Sequence, residues 1–296
     1  LAGFAGKRAV PKGAALLFWR RHAGDGIRWI AFLALAGLSA CAGVDRFGGS
    51  RQAVVDWGRE RGFAASPAQS GGLRLLALQR IDTARPVTVL HVYIEGDGAA
   101  WSSPFHPPRD PTPLEPVALA LAAADPAPAV AYLGRPCQYL EATELAGCAP
   151  DYWTGSRFAP EVVDSFMAHL DRLKQGSGTR RLRLFGYSGG GVLATLLAAR
   201  RDDVEHLVTV AAPLAVAEWA SLHQLTPLAA SLDPMVEARG RLPPATYFVG
   251  GRDEVVPERL VAAFAARNGG RLRVVPEFDH RCCWSRDWRR LLEEVR

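Results

Sequence analysis

The feature that most restricts this chain is a regular alternation, over residues 73–296, of short aliphatic or β-branched runs with longer Ala- and Leu-rich stretches. Strands are expected at 73–80, 87–94, 130–133, 182–185, 204–210, 246–249 and 272–275. Helices are expected at 117–124, 160–174, 191–200, 257–268 and from about 284 onward. The run VTVLHVYI at 87–94 is dense enough in β-branched residues for a position buried on both faces. Strands alternating with helices place a mostly parallel sheet between helical layers, an α/β architecture in one domain over 73–296. Residues 41–72, Gly- and Ser-rich in places, read as a tether with a short helix near 54–61. Residues 212–244 join two strands and are long enough for a small cap-like insertion.

Composition narrows the partners. The chain is 49% hydrophobic and 22% charged, which excludes a collagenous, low-complexity or largely disordered protein. Its net charge of +5 belongs to residues 1–40, where Lys7, Arg8, Lys12, Arg20, Arg21 and Arg28 face only Asp25. The body is balanced and has no electrostatic case for binding nucleic acid. Arg20, Arg21 and Arg28 precede the apolar run WIAFLALAGL at 29–38, which has signal-peptide length and falls short of the ~20 residues that span a bilayer as a helix. It ends in Leu38-Ser39-Ala40-Cys41, which resembles a bacterial lipobox. Residues 1–40 therefore read as a lipoprotein signal peptide and Cys41 as the lipidated residue. Its acyl chains would hold the body on a membrane. Ala42 after Cys41 favours the outer membrane, facing the periplasm. Leu1 opens the chain and the first Met is Met167, so an over-extended or alternative start within residues 1–19 is also expected.

Cys137, Cys148, Cys282 and Cys283 remain, an even number in a chain expected to be exported. Their spacing does not suit zinc, so disulfides are expected and no metal. Three pairings are open. One joins Cys282 to Cys283, whose Cα atoms across a trans peptide stand ~3.8 Å apart, below the usual disulfide range. The others bridge these two residues to Cys137 and Cys148, although adjacent side chains tend to diverge.

The chemistry gathers at strand ends. The strand RLRLF runs into Gly186-Tyr187-Ser188-Gly189-Gly190 and then a helix, the context of a nucleophile elbow. Small residues let the backbone turn tightly there, and the helix N-terminus supplies N–H donors for a developing oxyanion. A serine needs a base, and the base needs a partner to fix its tautomer. Asp253 follows the strand at 246–249 and His280 follows the strand at 272–275. Asp253 either orients His280 or caps the helix after Pro257. Asp279 adjoins His280 and is the poorer orienter. His91 lies inside a strand, His22 lies in the leader, and His106, His169, His206 and His223 lack a strand-end loop beside an Asp loop. The Gly189 N–H is the first expected oxyanion donor. A second is expected from Glu95-Gly96-Asp97-Gly98, at Asp97 or Gly96.

Together GYSGG, GGRDEVVP and FDH resemble the α/β-hydrolase superfamily over residues 73–296. More narrowly, YIEGDGAAW, GRPCQY, YWTGSRF and DHRCCW resemble a group of uncharacterised bacterial lipoproteins with an α/β-hydrolase body. The resemblance implies the α/β-hydrolase fold, a sheet of about eight strands with one reversed, and a Ser188–His280–Asp253 triad. Many of its members have His-Gly where this chain has Glu95-Gly96. It brings no substrate, since esterases, lipases, thioesterases and peptidases share these residues.

Tyr187, Trp101, Phe105 and Trp219 are the candidates for an apolar substrate pocket, with core packing the competing role for the aromatics. No basic cluster marks a phosphate or carboxylate site, and neither GxGxxG nor HExxH occurs. The expectation is a lipid-anchored serine hydrolase, carboxylesterase-like and without a cofactor, acting on a small ester or acyl substrate. The alternatives are a peptidase or thioesterase on the same triad, or a non-catalytic envelope lipoprotein that keeps the fold as a scaffold.

Overall fold

The structure, a computed structural model, describes residues 47–66, 72–99 and 106–295. The leader 1–40, Cys41, Trp101 and Phe105 lie outside the described residues. In chain order the elements are α1 (Arg51–Arg59), β1 (Ala64–Ala65), β2 (Ala77–Ile81), β3 (Val89–Ile94), α2 (Val117–Ala124), β4 (Ala129–Leu133), α3 (Ala142–Leu145) and a 3-10 turn (Pro150–Trp153). There follow α4 (Pro160–Ser177), β5 (Arg181–Tyr187), α5 (Gly189–Ala198), β6 (Val204–Val210), α6 (Val216–Leu222) and α7 (Pro234–Glu237). The chain closes with β7 (Ala245–Gly250), α8 (Glu258–Asn268), β8 (Arg271–Val275) and α9 (Trp284–Leu292).

Among the described residues, eight strands form one sheet in the order β1-β2-β4-β3-β5-β6-β7-β8. Strand β2 runs antiparallel to both neighbours, and the pairs from β4 through β8 are all parallel. Side chains alternate between two cores, as the pleat requires. In β4, Ala129, Ala131 and Leu133 enter the core shared with α4, α5 and α8, while Val130 and Tyr132 enter the core under α1, α2 and α9. In the second core Tyr93 stacks on Phe185 at 4.4 Å, and Trp288 meets both edge-on. Helix α4 begins with Pro160 in its first turn, where the missing N–H costs no helical bond, and stops at Gly178 in the left-handed region.

The short helix expected near 54–61 is α1, at Arg51–Arg59. Helix α1 buries Val54, and β1 adds to the sheet edge by pairing with β2, so residues 51–65 belong to the packed body. Two alanines carry no strand pattern, which is why β1 is silent in the sequence. The 212–244 connector holds α6 and α7. The disulfides are Cys137–Cys148 and Cys282–Cys283. The second joins adjacent residues across a cis peptide, with Cα atoms 3.1 Å apart.

Candidate active site

Central strand β5 delivers Ser188 to the carboxyl edge of the sheet. Ser188 has φ 51° and ψ −124°, a backbone state that non-glycine residues seldom occupy and that surrounding contacts must impose. Its N–H donates to the Val210 carbonyl at the end of β6 (2.8 Å), and its carbonyl accepts from the Gly191 N–H (2.8 Å). Close approach requires glycine on both sides of the turn. A Cβ on Gly186 would stand 2.3 Å from the Gly190 carbonyl oxygen, and one on Gly190 would stand 2.2 Å from that of Ile94.

Loops after β7 and β8 bring the other two groups. His280 Nε2 lies 3.2 Å from Ser188 Oγ, and His280 Nδ1 lies 2.9 Å from Asp253 Oδ2. The Asp253 side chain is wholly buried. Its other oxygen, Oδ1, accepts from the N–H groups of Val255 (2.9 Å) and Val256 (2.7 Å). The Asp253 carboxylate therefore bonds His280 through one oxygen and its own turn through the other, and it does not cap α8. Asp279 turns away, accepting from the N–H groups of Arg281 and Cys282 through Oδ1. The His280 carbonyl accepts from the Tyr187 hydroxyl (3.0 Å) and the Trp284 indole N–H (3.1 Å). Tyr187, expected as a pocket wall, thus supports the histidine loop, and burial raises its phenol well above the ordinary value. Trp219 is half-buried on α6 and donates its indole N–H to the Val255 carbonyl at 2.8 Å, the same oxygen that His223 Nε2 meets.

The loop after β3 lies against the elbow. Gly96 packs so closely that a Cβ on it would be 3.4 Å from Ser188 Cβ. Its N–H donates to Glu95 Oε1 at 2.9 Å, which corrects the expectation that Gly96 is an oxyanion donor. The N–H groups of Gly189 and Asp97 have no acceptor among the described residues, leaving these two as the donor candidates. Glu95 is buried, and Oε1 also accepts from the Ala118 N–H in the first turn of α2 (3.3 Å). Burial pushes its carboxyl up to about 7, with hydrogen bonds from Gly96, Ala118 and Tyr132 opposing the shift.

Arg135 and Arg157, which sequence reasoning passed over, enclose Asp97. Arg135 Nη1 donates to Asp97 Oδ1 (2.7 Å) and Arg157 Nη1 donates to Oδ2 (2.9 Å). Burial alone would raise the Asp97 carboxyl, but the guanidiniums of Arg157 and Arg135 outweigh it and hold the group below the usual carboxylate range. These arginines stand in GRPCQY and YWTGSRF, segments with no spacing signal. Among the described residues no cluster of His, Cys, Asp and Glu is arranged to hold a metal ion. Nor is any helix among them long and apolar enough to cross a membrane.

No family model matches the chain, and no curated protein matches it. Solved structures do resemble it. Est1E from Butyrivibrio proteoclasticus is 14% identical with a TM-score of 0.55, over 79% of this chain and 98% of that one. An esterase from Pyrococcus furiosus is 13% identical with a TM-score of 0.55, over 79% and 91% of the two chains. An α/β serine hydrolase homologue from Coxiella burnetii is 15% identical with a TM-score of 0.51, over 79% and 94%. The architecture is the α/β-hydrolase fold.

Proposed function

We propose that this chain is a serine hydrolase that cleaves an ester-type bond by way of an acyl-enzyme. The observation that carries the reading is the hydrogen-bonded line from Ser188 through His280 to a buried Asp253, set on a strained elbow. With Asp253 accepting from Nδ1–H, the Nε2 of neutral His280 is free to take the Ser188 proton as Oγ attacks the carbonyl. The negative charge that develops on the carbonyl oxygen is held by the N–H groups of Gly189 and Asp97. His280 then gives its proton to the leaving alkoxide. Water enters and His280 takes its proton as the oxygen attacks the acyl carbon; the tetrahedral intermediate then collapses, releasing the acid while His280 returns the proton to Ser188 Oγ.

The esterases among the structural neighbours support an ester over an amide substrate, and Est1E has been solved with ferulic acid bound. The same proposal places the body at the outer membrane, facing the periplasm, through acylated Cys41. The leader sequence supports that placement, and metabolic labelling with an alkynyl fatty acid, lost in Cys41→Ser, tests it.

The test of the activity is labelling of the purified protein with a fluorophosphonate probe. Wild type should label at Ser188, and Ser188→Ala and His280→Ala should not. A folded wild-type protein that takes no label overturns the hydrolase reading and favours a scaffold. Turnover of matched ester, thioester and amide substrates then separates an esterase from a thioesterase or peptidase.

A further inference from the structure

The carboxylate of Asp97 occupies the place where a side chain on Gly189 would be. A Cβ built on Gly189 would meet Asp97 Oδ1 at 2.0 Å and Oδ2 at 2.8 Å. A carboxylate therefore lies against the Cα of the very residue whose N–H faces the developing oxyanion. Left alone, its negative charge would oppose the charge that forms during attack.

The surrounding loops counter it. Each Asp97 oxygen accepts from a different guanidinium, Arg135 on one and Arg157 on the other. Both arginines are buried, and their remaining bonds fix them to the backbone. Arg135 Nη2 donates to the Arg157 carbonyl (2.6 Å), and Arg157 Nε donates to the Thr154 carbonyl (2.7 Å). Gln138 closes the frame, with Nε2 donating to the Gly96 carbonyl (3.0 Å) and Oε1 accepting from the Arg135 N–H (3.0 Å). Burying three charges is costly, and apolar residues of similar volume often stabilise a core better. The cluster thus bears its cost at a place where exact positioning of a backbone N–H matters.

We propose that Arg135 and Arg157 are positioning residues of the oxyanion hole: by clamping the Asp97 carboxylate, one guanidinium per oxygen, they aim the Asp97 N–H beside that of Gly189 and more than offset the negative charge beside the hole. The inference rests on the hydrolase reading and goes beyond the triad.

The experiment compares wild type, Arg157→Gln, Arg157→Lys and the double variant Arg157→Gln/Asp97→Asn. It records kcat and KM on a p-nitrophenyl ester, the fluorophosphonate labelling rate and the melting temperature. Arg157→Gln leaves Asp97 with half its counter-charge and should lower kcat by about 30- to 100-fold, with KM changed less than about twofold. Adding Asp97→Asn removes the carboxylate charge whose Oδ2 has lost its guanidinium and should recover at least about threefold of that loss, which a purely structural defect would not do. Arg157→Lys keeps the charge without the fork and should fall between wild type and Arg157→Gln. If Arg157→Gln does not fold, the Arg135→Lys/Arg157→Lys variant takes its place, with about a tenfold loss of kcat expected. Folded variants whose kcat stays within about twofold of wild type, or a double variant no faster than the single one, overturn the clamp. A wild-type protein that takes no label overturns instead the hydrolase reading on which the clamp depends.

Discussion

The Tyr187 hydroxyl donates to the His280 carbonyl at 3.0 Å, so the residue just before the candidate nucleophile holds the loop of its candidate base. The Trp284 N–H shares that carbonyl, which keeps the loop anchored if one donor is lost. Tyr187→Phe should therefore cost about 1 kcal/mol of stability. It should lower kcat by about three- to tenfold with KM unchanged. Urea unfolding beside steady-state kinetics checks both, and an unchanged kcat would remove Tyr187 from the site's support.

Asp253→Asn should be severe for a reason visible in the hydrogen bonds. The N–H groups of Val255 and Val256 would keep the amide oxygen on their side, turning the NH2 toward His280 Nδ1. Nδ1 must then accept, the ring proton moves to Nε2, and no lone pair faces Ser188. Where a triad tautomer is reversed in this way, kcat falls by about four orders of magnitude. Labelling of Ser188 should slow comparably while the melting temperature hardly moves. Near-normal labelling would mean that Asp253 does not set the tautomer.

Glu95 makes stability depend on pH. Its carboxyl sits at about 7 in the fold against an ordinary 4.5, so the folded state binds the proton more tightly. The stabilising contribution is fully present below pH 4.5, declines as pH rises and is gone above about 7. At about 1.4 kcal/mol per pH unit its span is on the order of 3 kcal/mol. Glu95→Gln keeps an oxygen for the Gly96 and Ala118 N–H groups and should lose this slope. Urea midpoints of wild type and variant, compared between pH 5 and 8, should diverge in the variant's favour as pH rises. Parallel curves would show that Glu95 does not titrate in this range.

The Cys137–Cys148 bridge closes a loop of sequence separation 11 that carries Gln138, the residue bonded to the Gly96 carbonyl. Replacing both cysteines with serine should cost about 3 kcal/mol by chain entropy. Because the loop also supports Arg135, kcat should drop several-fold. Denaturation without reductant reads the first effect, and ester turnover reads the second.

Much of this was legible in the residues, and the exceptions have physical causes. Helix α2 and strand β6 have the expected bounds because their apolar runs end at Asp125 and at the turn after Val210. The expected start of α5 at 191 falls two residues late, since Gly189 and Gly190 disfavour a helix and only the elbow's packing makes them helical. The Ser188, Asp253 and His280 loops could be read because each follows a strand. Arg135 and Arg157 are 22 residues apart in unrelated loops, and they are brought together by Asp97 and by the bond from Arg135 Nη2 to the Arg157 carbonyl. The Gly96 N–H is hidden from sequence reasoning as a bonded group, since nothing in the residues shows that the preceding carboxylate turns back onto it.

All ten residues of α5 are buried, so the helix behind Ser188 has no side left open to drift. Each position is answerable to a neighbour, and nearly every exchange there should be purged before it can be tried for a new substrate. Diversification in a lineage carrying this chain would have to fall elsewhere, in the Pro-rich loop after β3 and in the 212–244 connector. The reacting groups would stay fixed while their surroundings were retailored.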